Sequence, residues 1–202
     1  MKRWQATCFL CTLLAIFVAI LVVLTITFNN KSCLENFDKW TISKSTIPST
    51  SGYSYTISSD TQNIQNIQNI SFERNNVLEF TIGSVNTPFP MVSFRKSSIG
   101  SVFLPKWSFN HTGIDGEIAY NVLGFMNKYV MSYGNMTWKT KQILSSSIPL
   151  DIDITNSNNY IIAIFNEKVA VPLSYMVCMK NDMNSFENVL TVAMVVSFDI
   201  GK

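Results

Sequence analysis

The 202-residue chain reads as all-β, an antiparallel β-sandwich preceded by one N-terminal transmembrane helix. Three observations carry that reading. No charged residue occurs from Trp4 to Asn30. Beyond that stretch, short runs alternate apolar with polar residues between turn-forming clusters, the pattern of half-buried strands. No later segment holds a 3.6-residue period over three turns.

Composition narrows the class. The chain is 47% hydrophobic and 14% charged, against roughly 25% charged residues in a soluble domain. That much apolar surface argues against disorder. The net charge is +2 and no basic run appears, so a nucleic-acid partner is not expected.

Residues 1–6 read as a cytoplasmic tail and residues 7–28 as a retained transmembrane signal-anchor. The run Thr7 to Phe28 has 22 residues, and at ~1.5 Å per residue it spans about 33 Å, enough for a hydrocarbon core of about 30 Å. A cleaved secretory signal has an apolar core of about 7–15 residues and a small-x-small cleavage site. The end of this run, Thr25-Ile26-Thr27-Phe28, offers no such site. Lys2 and Arg3 place the N-terminus in the cytosol. The expected protein is therefore a single-pass type II membrane protein of the cell surface or secretory pathway. Cys8 and Cys11 fall at the cytoplasmic edge of the span, as palmitoylation sites or as small apolar helix residues.

Residues 29–47 read as a stalk and residues 48–202 as the ectodomain. The part beyond the span carries 13 basic and 13 acidic residues, so long-range steering by charge is not its working principle. Gln62 to Ile70 repeats Asn-Ile with a period of three, which suits neither strand nor helix and predicts an expanded loop. Val77 to Ile82 predicts a strand with Leu78, Phe80 and Ile82 on one face. Further strands are predicted over Ile99–Leu104, Ile118–Val122 and Leu150–Ile154. Tyr160–Phe165 and Val169–Val177 flank Asn166-Glu167-Lys168 as a hairpin turn. Val189–Ile200 predicts a closing strand.

Cys33 and Cys178 are the only cysteines beyond the span. In an oxidising compartment they pair with each other, or Cys33 bridges to a second chain and makes a homodimer. Asn-x-Ser/Thr occurs at Asn30, Asn69, Asn110 and Asn135. Asn30 lies too near the membrane, which leaves Asn69, Asn110 and Asn135 as glycosylation sites.

Several segments taken in order resemble the galectins, the β-galactoside-binding sandwich lectins. Phe80-Thr81-Ile82-Gly83-Ser84-Val85 is similar to the family's early strand, and Pro88 to Phe94 to its second. Val102 to Phe109 resembles the segment Ala-Leu-His-Phe-Asn-Pro-Arg-Phe. Ile118-Ala119-Tyr120-Asn121 resembles Val-Val-x-Asn, and Trp138 the tryptophan of Trp-Gly-x-Glu-x-Arg. The resemblance implies a galectin or concanavalin-like jelly roll over residues 48–202. It implies a sugar site in which Trp138 stacks on galactose with Asn121 beside it. The family's other sugar-holding positions fall on Leu104, Lys106, Ser108, Lys141 and Ile143. Lys106 and Lys141 donate hydrogen bonds only, so they would favour an acidic sugar. Carbohydrate-binding residues are thus expected at Trp138, Asn121, Lys106 and Lys141.

No enzymatic constellation is expected. His111 is the only histidine and reads as a surface-loop residue in Asn110-His111-Thr112. One histidine does not seed a zinc site, and no metal or cofactor is expected. Asp151 and Asp153 share a strand face and would be the best glycosidase pair, but they read as the solvent side of a half-buried strand. The expected function is a membrane-anchored, lectin-like protein that recognises a glycan or glycoprotein. The alternative is an adhesion or structural membrane glycoprotein with a degenerate lectin fold.

Overall fold

The computed structural model describes residues 12–19, 33–47, 52–59, 65–67, 70–73, 76–83, 90–97, 105–121, 129–142, 151–168 and 173–200. The chain divides into two units, Met1–Ser32 and Cys33–Lys202. In the first, residues 12–19 are helical (α1), with Leu13, Leu14, Ile16, Phe17 and Val18 exposed. Among the described residues no helix is long and apolar enough to cross a membrane. The rest of the 7–28 span lies outside them.

The second unit is mostly β. Its strands are β1 (Phe37–Ile47), β2 (Gly52–Ser59), β3 (Gln65–Ile67), β4 (Ile70–Glu73), β5 (Asn76–Ile82), β6 (Val92–Lys96) and β7 (Lys106–His111). They continue as β8 (Ile114–Tyr120), β9 (Tyr129–Tyr133), β10 (Met136–Gln142), β11 (Asp151–Thr155), β12 (Ile161–Lys168) and β13 (Ser174–Lys180), followed by helix α2 (Ser185–Ile200). All lie in one 13-stranded sheet of order β3-β2-β1-β13-β12-β11-β10-β9-β8-β7-β6-β5-β4. Every described pairing is antiparallel, and apart from β1 with β13 each joins neighbours in sequence. The two edge strands, β3 and β4, follow each other in the chain, and β2 approaches β4 while β3 approaches β5. The sheet therefore curves into a near-barrel that leaves little open edge.

The two-sheet jelly roll expected from sequence is replaced by this single sheet, because no strand leaves its hairpin neighbours to start a second layer. The layer that covers the inner face is α2. It touches β5, β9 and β13, and every residue from Val189 to Asp199 is buried. Val189–Ile200 is thus helix and not the closing strand. Its Val and Thr content favours strand, but the segment lies across the inner face of the curved sheet and pairs with no strand. A segment placed there must satisfy its own backbone N–H and C=O groups, and a helix does so. A helix apolar on all sides is expected to be buried on all sides. A reciprocal cap starts it: Glu187 N–H donates to Asn184 Oδ1 at 2.9 Å and Asn184 N–H donates to Glu187 Oε2 at 2.8 Å.

Other expectations shift in detail. Within the stretch 29–47 read as a stalk, Phe37–Ile47 is β1, an inner strand between β2 and β13. Residues Asn166, Glu167 and Lys168 are not a turn; they pair with Met176, Tyr175 and Ser174, so the β12–β13 ladder is antiparallel as expected but its connection falls later. On β5, Phe80 and Ile82 face the core, yet Leu78 is 37% exposed and Val77 is buried. A register irregularity opposite Ser71/Phe72 changes the alternation there. Part of the Asn-Ile stretch forms the edge strand β3. Ile99–Leu104 lies outside the described residues. Cys33 and Cys178 form a disulfide within the chain, Cα atoms 5.5 Å apart, so Cys33 is not free to bridge a second copy.

Inside, the aromatic rings make a continuous contact. Phe80 and Phe94 stack at 5.0 Å, Phe94 meets Phe109 at 5.0 Å, and Phe109 stacks on Tyr133 at 5.8 Å. Phe198 of α2 packs edge-on against Phe165 and Tyr129.

Candidate functional site

The outer face of β5–β9 carries a groove of about 980 Å³. Register builds it. Glu79 pairs with Arg95, Arg95 with Ser108, Ser108 with Glu117 and Glu117 with Ser132, one residue per strand. At about 4.8 Å per strand this row extends roughly 19 Å. Because side chains alternate, a row whose neighbours Phe80, Phe94, Trp107, Phe109, Ile118 and Met131 point into the core must itself point outward.

Small side chains floor the groove and charged ones rim it. Ser93, Ser108 and Ser132 keep it open, while the Arg95–Glu79 pair (3.3 Å) and the Lys106–Glu117 pair (2.5 Å) stand at its sides. Asn110 Nδ2 donates to Asp115 Oδ1 at 2.7 Å. Below the floor, Gly116 lies under the Phe109 ring, where a Cβ would collide. The result is a surface of mixed donors and acceptors in which both cations are paired with carboxylates and the third carboxylate, Asp115, accepts from Asn110. Such a surface suits a polar ligand of low net charge, with hydroxyl groups that both donate and accept.

A second constellation is internal. Asp199, in the last turn of α2, accepts hydrogen bonds from Lys44 Nζ (2.6 Å), Tyr55 Oη (2.6 Å) and Tyr175 Oη (2.5 Å). Burial alone would raise its pKa. The hydrogen bonds from Lys44, Tyr175 and Tyr55, with the charge of Lys44, outweigh burial and hold it below the usual carboxylate range. A carboxylate at a helix C-terminus is disfavoured by the backbone dipoles, and these three donors offset that. The Tyr175 hydroxyl is pushed up by burial and by its bond to Asp199. The group ties β1, β2 and β13 to α2.

A smaller cavity of about 360 Å³ lies near the start of α2, between the β9–β10 turn, the β11–β12 turn and the β13–α2 connection. Asn135, Met136, Thr137, Asn156, Lys180 and Met183 are among its lining residues. Nearby, His111 stacks on Phe186 of α2 at 4.0 Å. His111 is half-buried at the end of β7, an aromatic lid on the core and not the loop residue expected.

The four expected sugar-binding residues do not converge. Trp138 is 4% exposed and stands in the inward row Trp107–Ile118–Met131–Trp138. It packs in the core, and the little of it that stays open lines the smaller cavity, not the outer groove. Lys141, three residues along β10, points to the opposite side and is in register with Asp153. Asn121 lies two strands and three residues from Trp138, roughly 14 Å away by sheet spacing. Only Lys106 lines the outer groove, and there it is paired with Glu117. The preference for an acidic sugar drawn from these two lysines therefore lapses. Asp153, expected to face solvent, is buried. Among the described residues, no group of three His, Cys, Asp or Glu could hold a metal ion. Asn110 and Asn135 are exposed; Asn69 lies outside the described residues.

The groove was missed because it depends on strand register. Ser108, Glu117 and Ser132 are unremarkable until pairing brings them side by side. No known family, curated protein or solved structure matches the chain.

Proposed function

We propose that the Cys33–Lys202 unit is a recognition module that binds a carbohydrate or glycoprotein in the outer groove of β5–β9, held at a membrane by residues 7–28. The observation that carries this is the outward row Glu79–Arg95–Ser108–Glu117–Ser132. It presents acceptors, donors and hydroxyls in one outward line, to which sugar hydroxyls can both donate and accept. The run of exposed apolar side chains in α1 supports the anchor. The Cys33–Cys178 disulfide supports an oxidising, lumenal or extracellular site.

A second reading, a protein-binding adhesion or structural glycoprotein, is favoured by one feature. Phe109 turns into the core and Tyr133, the groove's other aromatic lining residue, is half-buried and stacked on it, so a sugar ring finds little aromatic face to stack on. A glycan array probed with the full-length protein in detergent separates the two. Binding to neutral or zwitterionic glycans that is lost on Ser108→Trp, which fills the groove floor, supports the first. Glycan binding unaffected by Ser108→Trp, or none at all, leaves the protein-binding reading.

A further inference from the structure

Each of the two cavities described above is lined by the asparagine of an Asn-x-Thr sequence: Asn110 in the outer groove, Asn135 in the smaller one. The two asparagines are held differently. Asn110 is engaged at both ends of its amide, donating to Asp115 and accepting from Gly113 N–H. Asn135 is exposed at the tip of the β9–β10 hairpin, its side chain tied to no neighbour among the described residues. The hairpin is a two-residue turn, with Tyr133 paired to Met136 and Gly134 at φ +54°. Gly at the first central position is what a type II′ turn asks for.

We propose that Asn135 carries an N-linked glycan and that its first N-acetylhexosamine sits in the adjoining cavity. This rests on the secretory placement proposed above. All three residues of the acceptor sequence, Asn135, Met136 and Thr137, line the cavity, so a sugar on Asn135 Nδ2 starts at its mouth. The far walls match an N-acetylated sugar. Half-buried Ile162 and Met183, with the edge of Trp138, offer apolar surface to one face of the ring, while Asn156, Ser157, Glu187 and the paired Lys180 and Asp182 offer polar groups to its hydroxyls. The co-reactant is a lipid-pyrophosphate-linked oligosaccharide. The bond from sugar C1 to the pyrophosphate oxygen breaks and a C1–Nδ2 bond forms. One Nδ2 proton is released to a base, and the lipid pyrophosphate departs. The seated sugar then bridges the three connections around the cavity, so it stabilises the folded chain as well as decorating it.

The full chain is made in eukaryotic secretory cells. Each occupied asparagine is read by mass spectrometry after enzymatic release in heavy-oxygen water, with alkylation of free thiols in parallel. Occupancy at Asn135 is expected, abolished in Thr137→Ala and kept in Thr137→Ser. After trimming to a single sugar, Thr137→Ser should melt about 2–4 °C above Thr137→Ala. The same two variants made in bacteria, where both lack the sugar, should melt together; this removes any effect of the side chain itself. An unoccupied Asn135 in a chain whose Cys33–Cys178 disulfide is intact overturns the proposal alone. An occupied Asn135 with equal melting of the trimmed variants overturns the seat. Free Cys33 and Cys178 with every asparagine unoccupied overturns the secretory placement, and the proposal with it.

Discussion

Two walls of the same sheet behave differently. On β7 the side chains alternate between the core and an outer face in contact with solvent: Trp107 and Phe109 are buried, Ser108 and Asn110 exposed. On β13 everything from Ser174 to Met179 is buried, although only Tyr175, Val177 and Met179 belong to the core. Its outward residues, Met176 and Cys178, are shielded too. The wall of β5–β10 thus keeps one wet face, while β11 from Ile152 to Thr155 and β13 from Ser174 to Met179 are buried on both sides. A strand covered on both faces loses the period-two signal that marks a strand with one wet face.

The largest expected effect breaks the enclosed wall at its covalent tie. The disulfide spans a sequence separation of 145, and closing a loop of that length stabilises by about 4–5 kcal/mol in the chain-entropy picture. Cys33→Ser with Cys178→Ser should lower the denaturant midpoint by a corresponding amount without changing the oligomeric state. A wild-type dimer that dissociates on reduction would contradict the intrachain bond.

Next in size is the buried carboxylate. The Asp199 side chain is 2% exposed and that of Lys44 25%. Asp199→Ala leaves Lys44 and two tyrosine hydroxyls without their acceptor, at a cost of about 3 kcal/mol, the low end for a buried pair because Lys44 reaches solvent. The pH dependence follows from a folded pKa held below the unfolded value. The stabilisation is fully present above about pH 4, where the unfolded carboxylate is already ionised, and is lost as pH falls through the lowered folded value. Acid titration of stability should show a fall in this window for the wild type and a weaker one for Asp199→Asn. Identical acid profiles would remove Asp199 as a titrating contributor.

The same contrast decides what was legible in the sequence. β5, β11 and the antiparallel β12–β13 ladder were all visible as runs rich in β-branched and alternating residues. The helix α2 was not, since Val189, Val192, Val195 and Val196 favour strand locally and only enclosure by the sheet makes helix the better state. One local signal did point to it: Asn184 followed three residues later by Glu187 is a capping-box pattern. β1 was hidden in a stretch read as a stalk because its inward residues Trp40, Ile42 and Lys44 include a charge that is meaningful only with Asp199 beside it. Counting cysteines singled out Cys33 and Cys178 but left a bond within the chain and a bridge between two chains both open; the fold joins them within the chain. Parity separates two of the expected sugar residues: Trp138 and Lys141 are an odd number of residues apart on one strand, so they point to opposite faces. The groove row draws one residue from each of five strands, and register of that kind is set by the fold as a whole.

A matched pair sharpens the comparison of the walls. Met176 and Ser108 both point away from the core, but Met176 is 4% exposed while Ser108 is open. Met176→Ala should cost about 2–3 kcal/mol, as for a buried methionine. Ser108→Ala should stay within about 0.5 kcal/mol. Equal costs in chemical denaturation would mean the outer face of β13 is not enclosed in solution.

The smallest effect compares three buried tyrosines. Tyr55 and Tyr175 each donate to Asp199, whereas the Tyr129 hydroxyl is buried with no partner among the described residues. Burial, followed by the neighbouring Tyr120, pushes the Tyr129 pKa above its ordinary value, as expected for a hydroxyl that has little reason to ionise. Its ring is well placed, edge-on to Tyr120 at 5.4 Å and to Phe198 at 6.1 Å. Tyr129→Phe keeps those contacts and removes a polar atom whose desolvation nothing repays. It should therefore raise stability by about 0.5–1 kcal/mol, while Tyr55→Phe and Tyr175→Phe each lower it by about 1.5–2 kcal/mol through loss of a hydrogen bond to a charged acceptor. Thermal unfolding of the three variants side by side tests this. If Tyr129→Phe destabilises as much as the other two, its hydroxyl has a partner, and an ordered water in the core becomes the first candidate.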